Sequence, residues 1–193
     1  MVLKGNSGSG KSTLLSLIAG LDRPTRGYLN VADHDLTKAT PSDLTQFRRK
    51  VVGMVFQSFN LMPTLNVVEN ACLPALLAGK ASDRVTSKAM ELIDWMGLSN
   101  RCSHLPAQLS GGEMQRTAIA RALINDPDII LADEPTGNLD SRNGQIVMEL
   151  FAELNRKWNR TVIIATHSTI ADSLASMTIC LKDGVITDQP CDI

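Results

Sequence analysis

The chain has 193 residues, of which 44% are hydrophobic and 20% are charged. This length fits one domain, and the composition excludes disordered, collagen-like and coiled-coil proteins. The 19 basic and 20 acidic side chains leave a formal net charge of -1, so the chain lacks the global basic field that draws proteins onto nucleic acid. Its longest weakly polar stretch, residues 71–79, is far shorter than the roughly 20 apolar residues of a membrane-spanning helix.

Short apolar runs with little alternation recur along the chain and predict strands covered on both faces of a parallel sheet. These runs lie at residues 2–3, 51–56, 129–132 and 161–165. Near the end of the chain, Asp183-Gly184 predicts a turn between two further strands, residues 177–181 and 185–187. Helical patterns separate the apolar runs, so the sequence predicts an α/β protein.

A helix is predicted in the middle of the chain, over residues 82–98, with Ser82 as its N-cap. Its apolar residues have the spacing of one buried helix face: Val85, Ala89, Leu92, Ile93 and Met96. No strand-like run occurs between about residues 61 and 117, so this segment is interpreted as an inserted helical subdomain. The prediction is one domain over residues 1–193, with a core of about residues 1–60 and 118–193.

The loop after the first strand matches the phosphate-binding pattern GxxxxGK[ST]. Glycines let backbone N–H groups point at a polyphosphate, and the following helix presents its positive end to the same anion. Lys11 can then reach the β- and γ-phosphates, and the Ser12 hydroxyl can bind Mg²⁺. A flexible Gly-Ser turn is the alternative, but chance produces the pattern in roughly one chain of this length in a hundred. The predicted nucleotide-binding residues are Gly5, Asn6, Ser7, Gly8, Ser9, Gly10, Lys11, Ser12 and Thr13.

Two adjacent carboxylates, Asp133 and Glu134, follow the apolar run at residues 129–132. Consecutive strand residues point to opposite faces, so the two side chains are suited to different roles. Asp133 is predicted to hold the Mg²⁺ shell, and Glu134 to polarise the attacking water. On its own the pair is weak evidence, because a solvated strand end is the more common explanation, and the phosphate loop is what makes the catalytic interpretation strong.

Residues 109–116, LSGGEMQR, match the LSGGxxQR signature of ABC-type ATPases, so the chain resembles that family. The resemblance extends to Gln57 as the Q-loop, residues 138–140 as the D-loop and His167 as the switch histidine. Taken singly, Gln57 is typical of a surface amide and His167 of a partly buried histidine. Together the motifs imply a phosphate-loop NTPase with a RecA-like parallel-sheet core.

The signature implies a second phosphate-binding cap, formed by Ser110, Gly111 and Gly112 at the start of a helix over residues 113–125. In the family this cap faces the γ-phosphate held by the phosphate loop of another subunit. The resemblance therefore implies a homodimer, or a dimer with an equivalent second ATPase subunit, in which ATP lies between head-to-tail subunits.

Site roles follow from the same resemblance. Glu134 would be the general base, His167 would contact the γ-phosphate, and Gln57 would sense Mg²⁺ and the attacking water. The implied Mg²⁺ ligands are Ser12, Gln57 and Asp133, and Asp140 would communicate across the dimer.

The sequence around Gln57 and that of residues 131–140 are most similar to the ATP-binding subunits of lipoprotein-releasing, macrolide-export and cell-division systems. Such subunits are peripheral on the cytoplasmic face of the membrane. They dock on an integral membrane permease, here near residues 57–100, and the resemblance implies no nucleic-acid partner. An ATP-driven export function for lipoprotein, macrolide or a similar substrate is the expectation.

The chain departs from the family pattern at two places. Only four residues precede the phosphate loop, where the family has further strands and an aromatic residue that stacks on adenine. This difference predicts a truncated start or a fragment, and weaker ATP binding in the absence of that aromatic residue. Ser168 stands where the family commonly has Asp after the switch histidine.

Two alternative functions remain open at this stage. A non-transporting ABC ATPase acting on DNA or ribosomes would be expected to carry a long coiled coil, a second cassette or a basic face. A nucleotide-dependent regulatory module without turnover is disfavoured by the presence of Lys11, Ser12, Asp133, Glu134 and His167.

Overall fold

A six-stranded sheet forms the centre of the computed structural model, which describes residues 1–187. The strands are β1 (Val2–Lys4), β4 (Val52–Phe56), β5 (Ile129–Asp133), β6 (Thr161–Ala165), β7 (Thr178–Lys182) and β8 (Val185–Thr187). Their order is β4-β5-β6-β1-β7-β8, and every neighbouring pair is parallel except the β7–β8 hairpin. A separate two-stranded ribbon joins β2 (Asn30–Val31) to β3 (His34–Asp35). The predicted strands are present, with ends that differ by at most one residue.

Both faces of the sheet are covered, because successive residues of each strand enter different hydrophobic clusters. In β5, Ile130 and Ala132 belong to one cluster, whereas Ile129 and Leu131 belong to the other. All four side chains are buried. This arrangement explains why the strand sequences lack polar alternation.

Residues 1–187 form six α-helices: α1 (Lys11–Ile18), α2 (Pro41–Lys50), α3 (Val67–Leu77), α4 (Ser82–Trp95), α5 (Gly111–Leu123) and α6 (Ser141–Arg156). Helices α1 and α2 share one hydrophobic cluster, and α3 to α6 share the other. Short 3₁₀ turns occur at Ser99–Arg101, Pro106–Gln108 and Thr169–Leu174. In the described part of the chain, no helix combines the length and apolarity that a membrane crossing requires.

Helices α3, α4 and α5 follow β4 and precede β5 in the sequence, and they pack against one another. No strand forms in this segment within the described residues. The predicted apolar face of α4 is buried as expected, including Met96 just beyond the helix. The N-cap prediction was wrong: Ala81 is the N-cap, without a side-chain hydrogen bond, and Ser82 is the first helical residue. The helix ends at Trp95 rather than residue 98, because Gly97 adopts a φ of 67° that a helix cannot continue.

Two indole rings connect the three-helix segment to the rest of the fold. The rings of Trp95, at the end of α4, and Trp158, after α6, stack with centroids 4.6 Å apart. Stacked aromatic pairs stabilise a contact beyond their burial alone. The stack therefore joins the ends of two helices that precede and follow strand β5.

The five parallel strands, β4, β5, β6, β1 and β7, place their carboxyl ends at one edge of the sheet. Phe56, Asp133 and Ala165 are aligned across β4, β5 and β6, and Leu3 of β1 is aligned with Ala165. The residues that follow these strands therefore meet at the same edge, which is where ligands bind in open parallel sheets.

Gly53 in β4 is required by the close approach of α5. A Cβ at this position would lie 2.6 Å from the backbone oxygen of Ala122. We expect Gly53→Ala to lower the free energy of unfolding by roughly 1–3 kcal/mol, because a backbone atom must move. Urea unfolding followed by circular dichroism measures this change.

Gly144→Ala in α6 is the matched control. Its Cβ would meet nothing nearer than Ile170 Cδ1 at 3.6 Å, and alanine favours a helix over glycine by about 0.5–1 kcal/mol. Equal urea midpoints for the two variants would contradict the packing argument.

Candidate functional site: a phosphate loop at the sheet edge

The loop between β1 and α1 depends on glycine. Gly5, Gly8 and Gly10 have φ values of 147°, 81° and 99°, which favour a residue without a Cβ. A Cβ on Gly5 would also lie 2.2 Å from the backbone oxygen of Leu181 in β7. The turn between β7 and β8 adds a further contact, since the Gly184 N–H donates to the Ser9 backbone oxygen at 3.0 Å. The loop is thus fixed by its own conformation and by the neighbouring hairpin.

Lys11 is folded back across this loop. Its ammonium group donates to the backbone oxygens of Gly5 at 2.7 Å and Asn6 at 3.1 Å, and the residue is only 8% exposed. Carbonyl groups therefore solvate a charge that faces the loop. The same charge is available to a polyphosphate held by the loop's N–H groups.

Strand β5 carries Asp133 to the start of α1. The Ser12 hydroxyl donates to Asp133 Oδ1 at 3.1 Å, so two oxygen ligands predicted from the sequence lie side by side. Oxygen ligands of this kind are the ones that Mg²⁺ prefers. The residues present therefore fit the predicted cation.

Glu134 leaves the strand, which corrects the expectation that strand alternation separates it from Asp133. The strand ends at Asp133, and Glu134 has a φ of 45°, in the left-handed region. Its backbone N–H donates to the Ala165 oxygen at 2.8 Å. A turn of the backbone, tied to β6, therefore sends the two carboxylates to different partners.

The Glu134 carboxylate is held by the residues that follow β6. Thr166 Oγ1 donates to Oε2 at 3.0 Å, and His167 Nδ1 lies 3.0 Å from Oε1. The Glu134 side chain is 17% exposed, whereas that of His167 is 64% exposed. Thr166 was missed in the sequence, because a threonine at a strand end is too common to attract attention.

Gln57 is paired with Asn138 by two side-chain hydrogen bonds. Gln57 Nε2 donates to Asn138 Oδ1 at 3.3 Å, and Asn138 Nδ2 donates to the Gln57 backbone oxygen at 3.0 Å. A Cβ on Gly137 would lie 2.7 Å from Gln57 Nε2, so glycine is needed beside the amide. The segments after β4 and β5 are therefore linked.

A cavity of about 540 Å³ brings these features together. It is lined by the nine predicted loop residues, Gly5 to Thr13, and by Gln57, Glu134 and His167. Asp133 joins this group through Ser12. The signature residues Ser110, Gly111 and Gly112 are not among the residues that line the cavity.

The signature residues form the start of α5, two residues earlier than predicted. Ser110 is the N-cap of a capping box: its hydroxyl accepts from the Glu113 N–H at 3.3 Å, and its N–H donates to Glu113 Oε2 at 2.8 Å. Arg101 Nε donates to Glu113 Oε1 at 2.8 Å. The Arg101 guanidinium and the Ser110 N–H lower the pKa of Glu113 to about 2. The helix ends at Leu123 rather than residue 125.

The D-loop lies against this helix start. A Cβ on Gly111 would lie 3.5 Å from the Asn138 backbone oxygen, and one on Gly112 would lie 2.3 Å from Asn143 Oδ1. Asp140 caps α6 by accepting the Asn143 N–H at 2.9 Å, and this hydrogen bond lowers the pKa of the Asp140 carboxyl. The fully buried Gln115 donates to the backbone oxygen of Pro135, directly after Glu134, at 2.7 Å. The signature helix is therefore packed on the segment that follows the acidic strand.

The fold and the site define a phosphate-loop nucleoside triphosphatase. Residues 1–137 match the family model described as "ABC transporter". The chain therefore belongs to the ABC transporter family, as an ATP-binding subunit that hydrolyses ATP.

Similar proteins agree on this family. The lipoprotein-releasing system ATP-binding protein LolD of Cytophaga hutchinsonii is 42% identical over 182 residues, which cover 94% of this chain and 83% of the relative. The macrolide export ATP-binding/permease protein MacB of Rhodopseudomonas palustris is 44% identical over 96% of this chain, which corresponds to 28% of that longer protein. The ATP-binding cassette MJ0796, solved as a dimer in a post-hydrolysis state with ADP and Pi, superposes with a TM-score of 0.88. It is 40% identical, and the match covers 96% of this chain and 82% of that one.

The charge of Glu113 stabilises the start of α5, and Glu113→Gln tests this. Because the folded-state pKa of about 2 lies below the ordinary value of 4.5, the stabilisation is present above pH 4.5 and is lost as the pH falls towards 2. We expect the variant to be less stable by about 1 kcal/mol at neutral pH. The difference should shrink as the pH falls below 4.5.

Thermal unfolding of both proteins at a series of pH values measures this effect. Glu149→Gln, an exposed change on α6, serves as the charge-matched control. If the difference in stability between Glu113→Gln and the parent stayed constant with pH, the electrostatic explanation would be contradicted.

Proposed function

We propose that two copies of this chain, or this chain and an equivalent ATPase subunit, bind ATP between them in head-to-tail orientation. One observation carries the proposal: the cavity at the phosphate loop lacks Ser110, Gly111 and Gly112, while the same chain presents those residues elsewhere, at the start of α5. Helix N-termini bind phosphate, so the chain has two half-sites. The dimeric state of the similar cassette MJ0796 supports this arrangement.

Within each composite site, the loop residues 5–13 hold the phosphates, and Lys11 exchanges its backbone partners for the β- and γ-phosphate oxygens. Ser12, Asp133 and Gln57 would hold Mg²⁺, which neutralises charge on the transferred phosphoryl group when it is bound. The hydrogen bond between Ser12 and Asp133 supports this assignment for two of the three ligands.

Glu134 is the general base in this proposal. Its carboxylate lies in the cavity wall, and Thr166 and His167 fix both of its oxygens at 3.0 Å. A fixed carboxylate can accept a proton from water with little reorganisation. The exposed His167 is placed to contact the γ-phosphate, and Gln57 to sense the cation and the attacking water.

The helical subdomain, residues 61–117, provides the contact with an integral membrane permease, together with Gln57, over the range 57–100. The range includes apolar side chains that remain exposed, namely Met62, Leu76 and Met90. Gln57 belongs both to this range and to the nucleotide cavity, so permease contact and ATP state can influence each other. The subunit is then peripheral on the cytoplasmic face and drives export of a lipoprotein, a macrolide or a similar substrate.

Glu134→Gln separates binding from chemistry. We expect the variant to bind ATP and to form a stable ATP-dependent dimer, with hydrolysis lowered by a factor of about 10²–10⁴, because the proton acceptor is lost. Phosphate release and sedimentation velocity with Mg-ATP measure both properties. Glu149→Gln, which removes an exposed carboxylate from α6, is the control. Turnover at the parent rate would reject Glu134 as the base.

A mixing experiment tests the head-to-tail arrangement. Lys11→Ala removes the phosphate loop's cation, and Ser110→Arg blocks the cap, so each variant alone should lack hydrolysis. A mixed dimer contains one site with an intact loop and an intact cap, so an equimolar mixture should recover up to about a quarter of the parent activity. A site completed within a single chain predicts no recovery, and that result would overturn the arrangement.

A further inference from the structure

A second cavity, of about 330 Å³, lies between the beginning of α4 and the end of α5. We call it the basic groove and define it by its lining residues: Lys80, Ala81, Arg84, Val85, Lys88 and Ile124. Three of these side chains are cationic and none is acidic. The basic groove shares no lining residue with the nucleotide cavity, so the catalytic site does not explain its charge.

The three cations lie on one side of α4 and its leading turn, because they are spaced four residues apart. Within residues 1–187, none of the three forms an ion pair. By contrast, Arg101, in the 3₁₀ turn after α4, and Arg160, just before β6, are both paired with carboxylates. The basic groove therefore presents a local positive charge to solvent in a chain that is close to neutral overall.

The nearest acidic side chains along the sequence are either occupied or set apart from the groove. Asp126 and Asp128, which follow α5, are bound by Arg160. Asp94, at the other end of α4, accepts a hydrogen bond from Ser99. Asp83, in the first turn of α4, and Glu91, three residues after Lys88, are both exposed. Neither lines the groove, and neither forms an ion pair with a described residue. The groove's charge is thus left for an external anion.

Apolar side chains accompany this charge. The buried Val85 and Ile124 form part of the groove wall. Leu76 and Leu77, in the last turn of α3, are 43% and 68% exposed, and backbone hydrogen bonds at Gly79 and Lys80 close the turn between them and the groove. Exposed leucines beside a row of cations form the pattern of a membrane-interface contact.

We propose that the basic groove binds the anionic headgroups of phospholipids, with Leu77 entering the headgroup boundary beside it. The anionic surface of a membrane contacts the cations and the leucine together, whereas a small free anion would use the cations alone. The proposal deepens the function proposed above, since it rests on placing this subunit beside a membrane. It assigns a lipid contact to part of the range that includes the permease contact.

Co-sedimentation with vesicles tests the proposal on the chain without a permease. Vesicles of equal parts phosphatidylglycerol and phosphatidylcholine are compared with vesicles of phosphatidylcholine alone, at about 0.15 M salt. We expect binding to the anionic vesicles only. Because each basic side chain near such a surface strengthens binding by roughly fivefold, the variant with Lys80→Gln, Arg84→Gln and Lys88→Gln should bind about 100-fold more weakly.

A matched control removes three exposed cations elsewhere: Arg26→Gln, Lys38→Gln and Lys50→Gln change the net charge equally. This control should retain most of the binding, and Leu77→Ser should weaken it by about tenfold. Thermal unfolding checks that each variant is folded.

Several outcomes would overturn the proposal. The first is that the parent chain does not bind vesicles. The second is that the two triple variants lose vesicle binding equally. The third is that millimolar inorganic phosphate releases the bound chain at constant ionic strength. The last result would indicate a site for a small anion rather than a membrane. The mixing experiment with Lys11→Ala and Ser110→Arg needs no lipid, so failure of the lipid contact and failure of the ATPase dimer are distinguishable.

Discussion

The parallel register of β4, β5 and β6 is the constraint on which the nucleotide site depends. It aligns Phe56, Asp133 and Ala165, so the next residues of three strands meet at one level. Hydrogen bonds at this edge then complete the site: the Glu134 backbone is tied to Ala165, and its carboxylate to Thr166 and His167. A shift of one residue in β5 would turn Asp133 away from Ser12 and would also move apolar side chains to the opposite face.

Much of this arrangement could be predicted from the sequence, because the determining signals are local. Apolar runs without alternation identified the parallel strands, and the glycines, Lys11 and Ser12 identified the phosphate loop. Contacts between residues that are distant in the sequence were harder to predict, because they depend on the chain topology. The position of Glu134 depends on a left-handed backbone conformation, and the partners of Gln57 and Glu134 lie 81 and 33 residues away in Asn138 and His167. No spacing rule connects such residues.

Helix ends were the weakest predictions, for physical reasons. Ser82 has the side chain of an N-cap, but the backbone begins the helix with this residue, and Ala81 occupies the cap without a hydrogen bond. At α5 the N-cap signal was present in the sequence, since Ser110 and Glu113 have capping-box spacing. It was obscured because the first two helical residues are glycines. Glycine disfavours a helix interior, but at Gly112 the side chain of Asn143 lies too close for a Cβ.

The stacked indoles of Trp95 and Trp158 give the chain an internal optical reporter. They are the only two tryptophans in the sequence, and they join the end of α4 to the segment after α6. Excitation near the red edge of protein absorbance therefore samples this one junction, and emission intensity depends on the overlap of the two rings. A movement of the end of α4 that changes the overlap of Trp95 with Trp158 is consequently observable in the unlabelled protein.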